Sequence, residues 1–205
     1  MQPATSNQIG QLMSAAIFSA MLLTVSVAAL FVAALVDLRR RIIPNRLVLV
    51  VAVCGVGRRL LAAPGLIWFD LLAAASIVVA LGLLAHHEWI GGGDVKLIAA
   101  VALLFPLSDV GGLLLSIAIA GGLLSCTYLA IRATGTKIPK PRFCPADAQE
   151  DTQDTTWGLE DLLSGERMRI AAGEPMPYAL AVLGGVIYRI VSEAIQCSSV
   201  ISCLL

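Results

Sequence analysis

LMSAAIFSAMLLTVSVAALFVAALVD, residues Leu12 to Asp37, runs from Leu12 to Val36 without a charged side chain and then closes on an aspartate. About 20 mostly apolar residues suffice for a helix to cross a bilayer, so the stretch predicts a transmembrane helix. It is too long for the apolar core of a secretory signal peptide, and no lysine or arginine precedes it; a retained span is expected. The whole composition agrees. Of 205 residues 58% are hydrophobic and 14% charged, against an apolar share of about 45–50% in soluble domains. The fold class predicted is an all-α polytopic membrane protein, a single membrane-embedded domain over residues 1–205.

Five more apolar runs follow, giving about six spans. Ile42 to Ala63 is bounded by Arg46, Arg58 and Arg59, long side chains able to snorkel to the interface, and Pro64-Gly65 breaks it. Leu66 to Ala85 has Trp68 and Trp89 near its ends, where interfacial tryptophans belong. The fourth run opens at Gly91 and stops at Phe105-Pro106, short for a full crossing. The fifth, Val110 to Ile131, carries Gly111-Gly112 and Gly121-Gly122 as small surfaces for close helix packing. The sixth opens at Met176-Pro177-Tyr178, with Arg189 and Glu193 spaced to pair where it leaves the core. Between the last two lies the one long polar loop, about 132–176. Its first part is rich in proline and charge, and Trp157 to Ile170 reads as an amphipathic interfacial helix.

Positive charge sets an orientation. With six spans, Arg39, Arg40, Arg41, Arg46, Lys96 and the basic residues of the polar loop fall on one side, against Arg58, Arg59 and Arg189 on the other. Basic loops stay in the cytoplasm, so the N-terminus is expected outside. Asp37, Asp94 and the polar loop then face the cytoplasm, and Asp70 and Asp109 lie at the opposite interface. Five cysteines without a C-x-x-C pair give neither a disulfide framework nor a zinc ribbon. In His86-His87-Glu88 adjacent histidines on a helix point apart, and no metal is expected. Net charge is zero, which argues neither for nor against nucleic acid.

A carboxylate at the mouth of a membrane segment is costly to keep and asks for a function. There are two at matching depth: Asp37, which closes the first run, and Asp94, in GGGDVKLIAA (Gly91 to Ala100). Two carboxylates sharing a proton can split a peptide bond, one as general base on water and the other, protonated, polarising the carbonyl. Gly91, Gly92 and Gly93 lack a Cβ and let a backbone come close, so an extended substrate could bind there by strand-like hydrogen bonds. Pro44-Asn45 reads as a turn into the second helix, with asparagine as cap or turn former.

Asp37 followed by Ile43-Pro44-Asn45, then Gly91-x-Gly93-Asp94 with Lys96, resembles the type IV prepilin peptidases, Gly-x-Gly-Asp aspartic proteases of prokaryotic membranes. Met176-Pro177-Tyr178-Ala179-Leu180-Ala181 is similar to that family's Pro-Tyr-Gly-x-Ala segment, with Ala179 where glycine is usual. The resemblance implies Asp37 and Asp94 as catalytic pair, Pro44, Asn45, Lys96 and the three glycines shaping the site, and no cofactor. The substrates it implies are prepilins or pseudopilins, cut at the cytoplasmic face of the inner membrane after a glycine preceding their hydrophobic helix. Expected partners are therefore these proteins and membrane lipid, and no nucleic acid. The large insertion with paired C-x-x-C motifs found in bifunctional members is missing, so the chain resembles the short, peptidase-only branch of Flp or Tad pilus systems, without N-methylation.

Three rival readings come with it. Signal-peptide-peptidase or presenilin-like enzymes carry their first aspartate inside a span beside a tyrosine, whereas Val36 precedes Asp37 here. A small transporter would also keep carboxylates in its helices, with broken helices and repeated halves. A non-catalytic assembly protein of a pilus or secretion machine would tolerate loss of either aspartate.

Overall fold

Apolar segments in lipid must satisfy every backbone N–H and C=O internally, and the chain does so with helices. The computed structural model describes residues 6–87, 91–133 and 176–204. Among them every regular element is helical: α1 (Ser6–Arg40), α2 (Asn45–Ala62), α3 (Ile67–His86), α4 (Gly92–Ala102), α5 (Leu107–Ala133) and α6 (Tyr178–Leu204), with a 3-10 turn, Pro64–Leu66, leading into α3. The chain divides into two compact units, Met1–Gly121 with Pro177–Leu205, and Gly122–Met176. Of the second, the described part is the end of α5 and Met176. The polar loop from 134 to 175, its amphipathic stretch, and Trp89 lie outside the described residues.

Among the described residues four segments are long and apolar enough to cross a membrane: Met13–Arg40, Pro64–His86, Leu107–Ala133 and Tyr178–Gln196. α2 and α4, the other two of the six expected spans, differ for separate reasons. α2 has 18 residues and three arginines, Arg46, Arg58 and Arg59. α4 has only 11 residues, about 16 Å of helix, roughly half of a ~30 Å hydrocarbon core. It stops because its last turn tightens, with the N–H of Leu104 on Val101 O (3.0 Å) and that of Phe105 on Ala102 O (3.3 Å). Pro106 follows and cannot extend it.

Short as it is, α4 is the centre of the first unit. Leu97 through Phe105 are all buried, with Leu97, Val101 and Leu104 completely enclosed. α2, α3 and α6 pack on α4, and α1 packs on α2 and α6. Two contacts require glycine for space. A Cβ on Gly55 of α2 would stand 2.9 Å from Leu103 Cβ, and one on Gly185 of α6 would stand 2.7 Å from the Ile117 backbone nitrogen. Of the glycines expected to serve packing, Gly112 faces Arg189 and Gly121 faces Tyr178, whereas Gly111 meets open space.

The polar groups at the far end of α2 correct the expectation of interfacial side chains. Arg59 and Asp70 are buried, at 8% and 5% exposure, with Nε of Arg59 donating to Asp70 Oδ2 at 2.7 Å. Asp70 Oδ1 accepts the Leu107 N–H at 3.2 Å. Beside them Arg58 donates to Leu104 O and to Ser19 Oγ and lies over the Phe105 ring. An ion held away from water needs such partners, and these sit on α1, α3 and the ends of α4 and α5. Arg189 pairs with Glu193 as the spacing predicts (3.5 Å) and also with Asp109 (2.8 Å).

Candidate active site

α1 ends in a sharp stop. Arg41 adopts φ 55°, a left-handed conformation that disfavours any residue with a Cβ by about 1–2 kcal/mol, and its N–H donates to Asp37 O at 2.9 Å. The chain turns through Ile42 and Ile43 to Pro44, whose φ of −66° and ψ of 125° make it the N-cap of α2. Its carbonyl accepts the N–H of Leu47 (3.0 Å) and Val48 (3.4 Å). Asn45 is exposed and no side chain caps α2, so the capping expected of asparagine falls to the proline backbone.

α4 starts in the same manner. Gly91 is its N-cap, φ −66° and ψ 135°, and the N–H of Asp94 donates to its carbonyl at 3.0 Å. That φ is open to any residue, so what the glycine supplies is room for the Asp94 carboxyl. A Cβ at 91 would lie 3.0 Å from Asp94 Oδ2: the carboxyl folds back over the missing side chain. A Cβ on Gly93 would meet Ile43 at 3.6 Å, which brings the Ile43-Pro44-Asn45 stretch against the Gly91–Asp94 stretch. Gly91, Gly92 and Gly93 are all exposed, leaving an open backbone beside Asp94.

Asp37, at 6% exposure, accepts the N–H of Ala179 on Oδ2 at 3.1 Å. Ala179 is in the first turn of α6, where N–H groups have no partner within the helix and the dipole favours a negative charge. Asp94 is half-buried, outside the four crossing segments. Its carboxyl is pushed up from 3.8 to about 6, chiefly by burial and then by the negative charge of Asp37. Asp37 and Asp94 therefore act on each other electrostatically, 57 positions apart in sequence by their numbers.

Not every expected residue gathers here. Lys96 is exposed, and two residues past Asp94 it is rotated by roughly 200° around α4. Arg39 and Arg40 are exposed as well. Ala179 is the contributor that residue-type reasoning passes over, because a backbone N–H leaves no mark in the sequence; the similarity of its segment to Pro-Tyr-Gly-x-Ala was the available signal. The rings of His86 and His87 are 5.9 Å apart and tilted by 59°.

A helical membrane protein with two mutually interacting carboxylates at the ends of two helices is the class these features define. The sequence matches the model of the type IV leader peptidase family over residues 24–126, half of the chain. The chain belongs to that family, and Asp37, the Ile43-Pro44-Asn45 turn and Gly91–Asp94 all lie within the matched stretch, whereas α6 lies beyond it. No curated protein and no solved structure matches the chain.

Proposed function

We propose that the protein is an aspartic endopeptidase that removes the leader from prepilins or pseudopilins, with Asp37 and Asp94 as its catalytic pair. The observation that carries this is the mutual influence of the two carboxylates, inside the family-matched stretch and beside an open glycine backbone. Asp94, with its raised affinity for a proton, is the acid that donates to the oxygen of the scissile carbonyl. Asp37, facing the N-terminus of α6, is the base. It takes a proton from water as the water oxygen bonds to the carbonyl carbon. Collapse of the tetrahedral intermediate breaks the C–N bond: Asp37 passes its proton to the leaving amine nitrogen, and a hydroxyl of the intermediate returns a proton to Asp94 as the new carboxyl group forms.

The topology we propose has six membrane segments in the inner membrane, α4 being a short one sheltered by α2, α3 and α6, with its first turn and Asp94 staying at the membrane mouth. The N-terminus is outside, and the catalytic pair and the polar loop are cytoplasmic. Gly91, Gly92 and Gly93 bind the extended substrate, and Pro44 and Asn45 shape the approach. The products enter type IV, Flp or related secretion assemblies.

The test is cleavage of a co-expressed prepilin in membranes, read by gel mobility and N-terminal sequencing, with wild type beside Asp37→Asn and Asp94→Asn. Both variants are expected to lose cleavage at normal protein levels, since asparagine keeps size but removes acid and base function. Continued cutting at the same bond by either variant rejects the two-carboxylate mechanism and favours an assembly or transport role.

A further inference from the structure

Asp109 lies inside the apolar segment Leu107–Ala133, and Arg189 and Glu193 lie inside Tyr178–Gln196. Arg189 joins the other two, at 2.8 Å from Asp109 and 3.5 Å from Glu193. Unlike the enclosed Arg59–Asp70 pair, this trio opens onto the protein surface: the side chains of Arg189, Asp109 and Glu193 are 21%, 31% and 36% exposed. Charge that faces hydrocarbon is costly, and pairing offsets only part of the cost. The exposed parts therefore need a polar surrounding.

Helix length bounds how far the trio lies from the catalytic end. Arg189 follows Ala179 by ten residues, so about 15 Å of helix at most separates it from the N–H that Asp37 accepts. The near surface of the bilayer is set at that end by the non-helical backbone of Ile42 and Gly91, both exposed, because such backbone is not tolerated against lipid tails. Even an arginine side chain stretched outward leaves the trio short of the far side of a ~30 Å core. The aromatic residues mark the same level. Tyr188, beside Arg189, is 66% exposed, and Trp68, two residues before Asp70, is 76% exposed. Asp70 accepts the N–H of Leu107, at the start of the helix that carries Asp109. Exposed tyrosine and tryptophan belong at the headgroups.

We propose that the protein thins the bilayer around α5 and α6, drawing the far surface in to Asp109, Arg189 and Glu193 and leaving roughly 20 Å of hydrocarbon between that surface and the catalytic end. Lipid deforms at a modest cost for each ångström of mismatch, less than bare charge in hydrocarbon demands. An α4 of 11 residues, short for an ordinary core, suits a thinned one. The thinning is independent of the peptidase function proposed above.

The test is a nitroxide at Tyr188→Cys in full-length protein whose five cysteines are replaced by serine or alanine. The protein is placed in vesicles of dimyristoleoyl, dioleoyl or dierucoyl phosphatidylcholine, in order of increasing chain length. Power saturation reads how often the label meets a water-soluble nickel chelate. A label at Val79→Cys, exposed in the middle of α3, is the reference for hydrocarbon. In dioleoyl vesicles nickel accessibility at 188 is expected to be several-fold that at 79, and to fall from the shortest lipid to the longest. Accessibility at 188 equal to that at 79 means that lipid tails cover the trio and overturns the thinning. High accessibility that ignores chain length means a water inlet within the protein and overturns it too. The combined change Asp109→Leu, Arg189→Met and Glu193→Leu is expected to lower accessibility at 188 to that at 79, and unchanged accessibility would show that these charges do not draw the surface in. The lipid series leaves the trio intact, so it decides even where the triple variant does not fold.

Discussion

Asp94 and Gly91 are coupled through a missing atom. A methyl group at 91 would stand 3.0 Å from Asp94 Oδ2, so the carboxyl must turn aside to admit it. Misplacing a reacting group by up to an ångström costs as much as about 100-fold in rate. Gly91→Ala is therefore expected to lower kcat by about tenfold or more, with thermal stability near wild type; an unaltered kcat would show that Asp94 does not act from this rotamer. The raised affinity of Asp94 for its proton makes a second prediction. Its carboxyl titrates near 6 instead of 3.8, through burial and then the charge of Asp37. The protonated form is present below that value and lost above it. The mechanism proposed above needs that proton, so kcat/KM is expected to fall as pH rises through about 6, and a rate that climbed through the same range would exclude Asp94 as the acid. Linkage has the same sign: the folded state binds the proton more tightly than the unfolded chain, so this group favours folding most at low pH and that contribution is lost through about pH 6.

At the scale of elements, α4 is held at both ends. Its first turn presents Asp94, and the residues just past its end are fixed by Gly55 against Leu103 and by Arg58 on Leu104 O. Close by, the Arg59–Asp70 pair ties α2 to α3 and, through the Leu107 N–H, to the start of α5. Removing one partner of a buried pair leaves an uncompensated charge and costs about 3–5 kcal/mol, while replacing both with apolar residues is often neutral or better. Asp70→Leu alone is expected to lower the unfolding temperature in detergent markedly. The double change Arg59→Met with Asp70→Leu is expected to recover most of the loss. If the double variant were no better than the single one, the stability would come chiefly from the hydrogen bond that Leu107 donates to Asp70. None of this network was legible in the sequence. Arg58, Arg59 and Asp70 stand at the ends of apolar runs, where snorkelling to water is the ordinary outcome. Their burial depends on how α4 and α5 meet, a tertiary fact without local periodicity. The helical class itself was plain from runs such as Leu12 to Val36, because lipid allows few alternatives. The boundary of α4 was partly plain, since Pro106 marks its end. At the site, the two aspartates and Gly91 carry a residue-type signal, and the N–H of Ala179 carries none.

For the whole molecule, the topology turns on the side of the membrane to which each end of α2 is assigned, because its composition is the least typical of a span. It has 18 residues and three arginines, about 27 Å of helix, just short of a ~30 Å core. Arginines near its ends can reach the interface on one side through Arg46, and Arg58 and Arg59 find partners within the protein. A crossing is thus physically admissible. Asn45 and Gly65 bracket the helix, both exposed, and a Cβ at 65 meets nothing within 4 Å. In a chain whose five cysteines are replaced by serine or alanine, Gly65→Cys is expected to react with a membrane-impermeant maleimide in intact cells. Asn45→Cys is expected to react only after the membrane is opened, since the proposed topology, drawn from the excess of Arg39, Arg40, Arg41 and Arg46, puts that end in the cytoplasm. The reverse pattern would place Asp37 and Asp94 outside, where a leader that stays in the cytoplasm never meets them. Equal labelling of both positions from one side would mean that α2 does not cross. The four long apolar segments would then have to bring Asp37 and Asp94 to a common face by a different path of the chain.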